Sequence, residues 1–265
     1  MSTINVLGLV LLVLMVLVGG KAGLQSFLAL LLNFGLLFLA IVLVAFHFPP
    51  LPVTLVVGLL VLALTIFMSS GDDLSSTVAF LASAAVLVIL VLLIVPVEHW
   101  ALVQGFGPED SEDLEGLSVL VGINFIQVTT ATAILSTLGA IAEAAMAIAA
   151  GLSEILEQHP QVTPKALLGD GITVGKQIIG TTFNTLFFGF FGGFLALFIW
   201  FTGVHYSFGE ILNDKIFVSE ILMILFAMVS VILTVPITAW VMTRAVANQR
   251  RRAAKGVTKH DTTEK

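Results

Sequence analysis

Seven long runs of apolar residues, almost free of charge, decide what this sequence can fold into. A membrane-spanning helix needs about 20 mostly apolar residues, and seven stretches reach or approach that length. They are residues 4–20, 22–46, 53–68, 77–97, a run that begins near Leu117, 177–202 and 217–242. Because a helix satisfies its own backbone hydrogen bonds in hydrocarbon, we predict an all-α transmembrane bundle of about seven spans.

The composition excludes the usual soluble classes. The chain is 58% hydrophobic and 11% charged, whereas an average soluble domain is about 45–50% apolar and about 25% charged. A chain of 265 residues cannot hide that much apolar surface in one water-soluble globule. We therefore exclude a soluble enzyme, a disordered protein and a nucleic-acid-binding domain, and we expect the lipid bilayer to be the main partner.

The basic residues predict the orientation. Of the 11 Lys and Arg residues, seven follow the last predicted span, and basic residues favour the cytoplasmic side. This gives a transmembrane domain over residues 1–243, a basic cytoplasmic tail over 244–265, and an N-terminus outside. Lys21, Lys165 and Lys176 then fall inside and only Lys215 outside. The first run could be a signal peptide, but no basic residue precedes it and no cleavage site follows, so we expect it to be retained.

The predicted outer loops are acidic. One interpretation is a solvated loop, and another is a vestibule that attracts a cationic ligand, such as a basic peptide. A calcium site is less favoured because the EF-hand spacing is missing. The acidic residues are Glu98, Glu109, Asp110, Glu112, Asp113, Glu115, Glu210 and Asp214.

Polar residues enter the apolar chain mainly in its second half. In the fifth run, Asn124, Gln127 and Thr130 are spaced by three and share roughly one helix face. In the sixth run, the corresponding residues are Thr181, Asn184 and Thr185. Since unpaired amides are costly in hydrocarbon, both sets must meet protein or water. We call these six residues the polar seam, which is either a substrate path or a static, closely packed interface.

Charged residues and glycines flank this seam. Glu143 interrupts an uncharged run from Leu117 to Ser153, so it lies either at membrane depth, where ionisable groups are often functional, or wet at the cytoplasmic interface. With Glu154 and Lys176 it is our candidate for gating or coupling. The surrounding small-residue segment predicts an amphipathic elbow helix between spans five and six. The glycines predicted to allow close helix packing are Gly171, Gly175 and Gly180.

Several chemical signatures are missing from the sequence. It has no cysteine, no Walker motif, no HExxH and no GxSxG, and its five histidines are scattered. We therefore expect no enzymatic activity, no cofactor and no metal. The string EAAMAIAAG is a weak match to the loop by which some ABC permeases meet their ATPase, because its glycine is displaced and the downstream Ile-x-Leu-Pro is missing.

The segment GAIAEAAMAIAAGLSEILEQHPQVTPKALLGDGITVGKQIIGTTFNTLFFGFFGG resembles the YibE/F family of bacterial multi-pass membrane proteins. The resemblance covers roughly residues 118–200. It departs from the family pattern at Glu143, commonly Asp, and at the pair Lys176-Gln177, commonly basic-acidic. The matching positions are Gly139, Ala140, Ile141, Glu143, Glu154, Pro160, Gly171, Gly175, Gly180, Thr181, Asn184, Thr185 and Leu186.

This resemblance implies a location in the bacterial cytoplasmic membrane and an assembly with another membrane protein chain. Some family members carry a large extracytoplasmic N-terminal region, which is not found in these 265 residues, so the chain is more similar to the shorter, YibF-like members. Such members are often paired, which implies a YibE-like partner, with a homo-oligomer as the other option. We therefore expect a transport-related subunit. The alternative is a receptor or scaffold whose acidic loops bind a cationic peptide or an envelope protein.

Overall fold

A computed structural model describes residues 3–69, 72–103 and 124–261. Within these ranges the chain is helical, with no strand, and the connections between helices are short. The helices are α1 (Thr3–Ala45), α2 (Pro50–Ser69), α3 (Asp73–Ala101), α4 (Phe125–Gln158), α5 (Pro164–Gly193), α6 (Leu195–Gly203), α7 (Phe208–Asn213) and α8 (Lys215–Asp261).

Helix α1 is broken at Gly20. This residue has φ 56° and ψ −129°, a backbone conformation that favours glycine because it has no Cβ. Beyond the break, the backbone at Gly23 lies directly against the carbonyl oxygen of Met15. In a straight helix these two residues would be about 12 Å apart, so the chain turns back sharply at Gly20.

Five of the described helices are long and apolar enough to cross a membrane, or six if α5 and α6 are counted as one span bent by 51°. The count is lower than the seven predicted from sequence because the first two predicted spans form one broken helix of 43 residues. Residues 117–123, where the fifth span was predicted to begin, lie outside the described part.

The core lies where α3, α4, α5 and α8 pack together, with α2 against α3 and α4. Ile94, Ile134, Ile148 and Met242 are fully buried there. Helix α1 packs mainly on α2 and leaves most of its surface exposed.

One polar contact joins α1 to α2. Asn33 Nδ2 donates a hydrogen bond of 2.7 Å to Thr65 Oγ1. An asparagine inside a membrane helix is expected to bond to a neighbouring helix in this way.

The predicted elbow helix is not a separate element. The segment continues α4 without a break to Gln158. Its Ala144, Ala145 and Ala149 are fully buried, because small side chains let α4 pass close to its neighbours. Packing in the bundle therefore replaces the surface position that the amphipathic pattern suggested.

The helix that contains the sixth predicted span begins at Pro164, before the apolar run itself, and the sequence predicts this start from the pair Thr163-Pro164. Thr163 caps this helix, because its Oγ1 accepts a hydrogen bond of 3.3 Å from Ala166 N. Proline in the first turn supports the same start.

Two contacts tie together one end of the bundle. Asp72 caps α3 by accepting hydrogen bonds from the backbone N–H groups of Ser75 and Leu74, and Ser153 Oγ of α4 donates to its Oδ2 at 2.9 Å. The Ser75 bond is the main reason that the pKa of Asp72 lies below its ordinary value. The turn before α3 is therefore held against the end of α4.

The second contact comes from α8. The Arg250 guanidinium donates hydrogen bonds of 2.8 Å to the carbonyl oxygens of both Val162 and Pro160. These oxygens lie in the connector between α4 and α5, so the basic end of α8 holds this connector in place.

Candidate functional site

One side of α4 carries a line of small and polar residues that the fold leaves exposed. Glu143 is exposed, whereas its neighbours Ala142 and Ala144 are buried. In the described part of the chain, Glu143 makes no hydrogen bond and no ion pair. Members of the line recur every three or four residues, which places them on one helix face: Thr132, Ser136, Gly139, Glu143, Ala147, Ala150 and Glu154.

Glu143 lies near the middle of the bundle along its long axis. Its neighbours Ala140 and Ala144 pack with Ala227 and Val231 of α8. At 1.5 Å per residue, Glu143 is about 22 Å from Gln158, the C-terminal end of α4. Glu143 therefore lies well inside this 34-residue helix and away from both of its ends.

The polar residues of α5 are exposed at the same level. Helices α4 and α5 are antiparallel, and a Cβ on Gly151 would lie 3.5 Å from Val174. Eight residues along each helix from this contact, Glu143 is level with Thr182. Its neighbours Thr181 and Thr185 are exposed.

Asn184 is exposed as well and has no hydrogen bond within the described chain. By the 100° rotation of each helical residue, Glu143 of α4 and Asn184 of α5 fall on the same flank of the α4–α5 contact, and Thr181 and Thr185 lie closer to the contact itself. We call this surface the α4–α5 polar face, and its residues are Glu143, Thr181, Asn184 and Thr185.

The threonines of this face largely satisfy their own hydroxyl groups. Thr181 Oγ1 donates to the Gln177 and Ile178 carbonyls, and Thr185 Oγ1 donates to the Thr181 carbonyl at 3.1 Å. Lys176 is exposed on the same helix and makes no ion pair within the described residues. Glu143 and Asn184 therefore keep their full hydrogen-bonding capacity for whatever covers this surface.

The other half of the predicted seam lies elsewhere. Asn124 caps α4 and accepts a hydrogen bond of 3.2 Å from Gln127 N, and both residues line a pocket of about 120 Å³ with His47. Thr130 is buried and donates to the Ile126 carbonyl at 2.7 Å. Gln127 and Glu143 are 16 residues apart, or about 24 Å. The structure does not join the six seam residues into one continuous path.

The three predicted packing glycines divide in the same way. A Cβ on Gly171 would lie 2.7 Å from Ala239 Cβ, and one on Gly175 would overlap the side chain of Val235. These two glycines lie directly against α8. A Cβ on Gly180 would meet no atom within 4 Å, so this glycine lies in open space on the outside of the bundle.

Three of the described acidic residues near the helix ends have local partners. Glu154 Oε1 accepts a hydrogen bond of 2.6 Å from Gln158. Glu210 forms a capping box with Ser207, whose backbone N–H is the main reason that the pKa of Glu210 lies below its ordinary value. Asp214 Oδ1 accepts from Phe217 N at 2.9 Å. The predicted acidic run over residues 109–115 lies outside the described residues.

Sequence reasoning missed one acidic residue. Glu98 was placed in an outer loop, but it belongs to α3 and is completely buried. The indication in the sequence that Glu98 is buried is weak and consists of its position, a single residue after the predicted end of its span. Among the described residues, no group of three or more His, Asp or Glu side chains could hold a metal ion.

A comparison with protein-family models gives one match. The model described as YibE/F-like protein matches residues 7–248, nearly the whole chain. No curated protein and no solved structure gives a significant match. The likeness therefore extends well beyond the residues that carried it in the sequence.

Proposed function

The chain belongs to the YibE/F-like protein family, and from this premise we propose that it is a transport-related subunit of the bacterial cytoplasmic membrane. In this proposal, a second membrane protein covers the α4–α5 polar face. A polar path for the substrate runs between the two proteins and past Glu143.

The observation that carries the proposal is the exposure of Glu143 in the middle of α4, a level that we infer to be membrane depth. A carboxylate or an amide that faces lipid is strongly unfavourable, and such residues normally face protein or a water-filled cavity. The Glu143 carboxylate and the Asn184 amide have no partner within the described chain. A second protein would remove both groups from lipid and surround them with polar partners or water.

The partner is a related family member or a second copy of this chain. The small residues on the exposed side of α4, such as Gly139 and Ala147, would let another helix approach closely. Glu154 and Lys176 lie closer than Glu143 to the inner end of the bundle and would act on the substrate at the cytoplasmic mouth.

The proposed topology has seven crossings, with the N-terminus outside and the C-terminus in the cytoplasm. It counts the two arms of α1 as separate crossings and α5 with α6 as one. Two contacts support it, since Arg250 bonds to the α4–α5 connector and Ser153 bonds to Asp72. Each joins segments that this topology places on the cytoplasmic side.

Because the chain has no cysteine, single-cysteine variants test this topology directly. On intact cells, a membrane-impermeant maleimide should label His205→Cys, in the turn after α6, and should leave His159→Cys unlabelled until the cells are broken. Labelling of His159→Cys in intact cells would show that the orientation is wrong.

Photo-cross-linking in membranes from a benzophenone attached to a single cysteine tests the partner, because it needs no thiol on the second chain. Ala147→Cys, on the exposed side of α4, should cross-link to a second chain, whereas Leu92→Cys, on an exposed apolar part of α3, should not. Size and mass spectrometry of the product distinguish a second copy from a related protein. Equal cross-linking at both positions, or at neither, would contradict the proposed interface.

A deletion strain tests the path itself. Glu143→Gln and Asn184→Leu should each fail to restore the transport or growth defect, and Glu157→Gln, an exposed carboxylate at the inner end of α4, should restore it. Equal membrane levels of the three variants are the control. Full complementation by both Glu143→Gln and Asn184→Leu would remove these residues from the function.

A further inference from the structure

Glu98 is a buried carboxylate that the proposed path does not use. It lies in the last turn of α3, with none of its surface exposed. Neither carboxylate oxygen has a hydrogen-bond partner among the described residues. Asp214, the other buried acidic residue of the described core, differs because its carboxylate caps α8.

The side chain of Glu98 faces the inside of the bundle. Ile94, Leu90 and Leu87 precede it at helical spacing on α3 and belong to the hydrophobic core. Leu87 and Leu138 meet at Gly58. Helices α3 and α4 are antiparallel. Eleven residues along each helix from the contact between Leu87 and Leu138, Glu98 of α3 is level with the first turn of α4. The carboxyl group therefore lies among helices, near the end of the bundle that the proposed topology places outside.

No described cation neutralises this carboxylate. Helix α2 carries no titratable side chain, and α4 carries none before Glu143. On α8, Lys215 is exposed and Glu220 is half-buried. The other titratable residues that the structure describes at this end of the bundle are His47, His99, His205, Tyr206, Glu210 and Asp214.

Burial without a partner disfavours an ionised carboxylate and favours the neutral acid. A metal cation in place of the proton would need several oxygen ligands, and the described residues contain no group of three or more His, Asp or Glu side chains that could hold one. A proton needs only the carboxylate itself.

We propose that Glu98 is a proton-binding site at the outer end of the bundle and that its protonation is coupled to transport. One carboxylate oxygen takes a proton from the outer aqueous phase to form the neutral acid of the observed conformation. The same O–H bond releases the proton when a conformational change exposes the group to water. This inference rests on the proposed transport role for its coupling part only.

Infrared spectroscopy of the purified, reconstituted chain tests the binding site directly. At neutral pH the wild type should show the carbonyl stretch of a protonated carboxylic acid. That band should lose intensity in Glu98→Gln, because one protonated carboxyl group is removed, and should keep its intensity in Glu154→Gln. Absence of the band from the wild type, or an unchanged band in Glu98→Gln, would overturn the proposal.

Unfolding of the Glu98→Gln variant is not expected to complicate this test, because the glutamine side chain has the shape of the neutral acid. Glu98→Gln should therefore unfold at the wild-type temperature or above it, whereas Glu98→Lys should unfold earlier. A large loss of stability in Glu98→Gln would contradict a neutral carboxyl group at this position.

The coupling part is tested in the deletion strain. Glu98→Gln should fail to restore function at any external pH. If it restores function fully, the coupling role is wrong, whatever the infrared result. If Glu98→Gln fails while Glu143→Gln and Asn184→Leu both succeed, the proposed path is wrong and the proton site stands.

Discussion

The contact between α5 and α8 makes a quantitative prediction at Gly175. The substitution Gly175→Ala adds a Cβ that would overlap the side chain of Val235. The matched control is Gly180→Ala, five residues further along the same helix, where the new methyl group would meet no atom within 4 Å. Both substitutions add one methyl group to the same helix, and they differ in the space available for that group.

The magnitude follows from two opposing effects. Alanine is favoured over glycine inside a helix by about 1 kcal/mol, and both variants gain this. Overpacking a close contact costs about 1–3 kcal/mol, and only Gly175→Ala bears this cost. We therefore expect Gly175→Ala to be less stable than Gly180→Ala by about 1–3 kcal/mol, or about 5- to 150-fold in the unfolding equilibrium.

The assay is a denaturation titration of the purified chain in mild detergent. Tryptophan fluorescence is a suitable signal, because Trp240 lines a groove between α5 and α8 with Leu168 and Ile172. A second substitution, Val235→Ala, removes the overlapping methyl groups. The pair Gly175→Ala and Val235→Ala should therefore be non-additive, with the double variant more stable than the sum of the single effects predicts.

Two results would refute this reasoning. One is equal stability of the two alanine variants, and the other is an additive cycle between Gly175 and Val235. Either would mean that α5 and α8 do not meet at this glycine.

Three further predictions concern the polar contacts. The stability of the wild type should fall as the pH falls through the lowered pKa of Asp72, because a depressed folded-state pKa stabilises the protein only above that range. Acid denaturation in detergent should show a weaker pH dependence in Asp72→Asn than in the control Asp73→Asn. Arg250→Gln should lose two charged hydrogen bonds and about 1–3 kcal/mol of unfolding free energy. The control Arg251→Gln, at an exposed position of the same helix, should lose little. Similar losses in both variants would show that Arg250 does not hold the α4–α5 connector. Asn33→Leu should change the unfolding free energy by only about 0.6 kcal/mol, an average value for hydrogen bonds between membrane helices, and a loss several times larger in the same titration would mean that this contact organises α1.

Much of the fold could be read from the sequence because it depends on local chemistry. Apolar runs of sufficient length predict membrane helices, and Thr163-Pro164 predicts a helix start that the structure contains. The break at Gly20 lies where the sequence separated the first two spans. The continuation of α4 to Gln158 could not be read, because close packing of its alanines on α3 and α8 overrides the amphipathic pattern.

The candidate site was less predictable, because it depends on how each helix is rotated about its own axis. Thr181 and Thr182 are adjacent in sequence, yet Thr181 is exposed and Thr182 is buried. The packing of Gly171 and Gly175 on α8 helps to set that rotation for α5, so it also determines that Asn184 faces outwards. In the same way, packing against α8 fixes α4 and leaves Glu143 on its exposed side.

The sequence by itself determined that the chain forms long apolar helices and which family it resembles, because hydrocarbon-length runs and local motifs do not depend on distant contacts. Only the tertiary structure decided which polar groups share a surface. It separated Asn124 and Gln127 from Asn184, left Glu143 exposed in the middle of α4, and enclosed Glu98 without a partner among the described residues. The physical reason is that burial and partnership are properties of neighbouring helices, and no spacing along one helix specifies its neighbours.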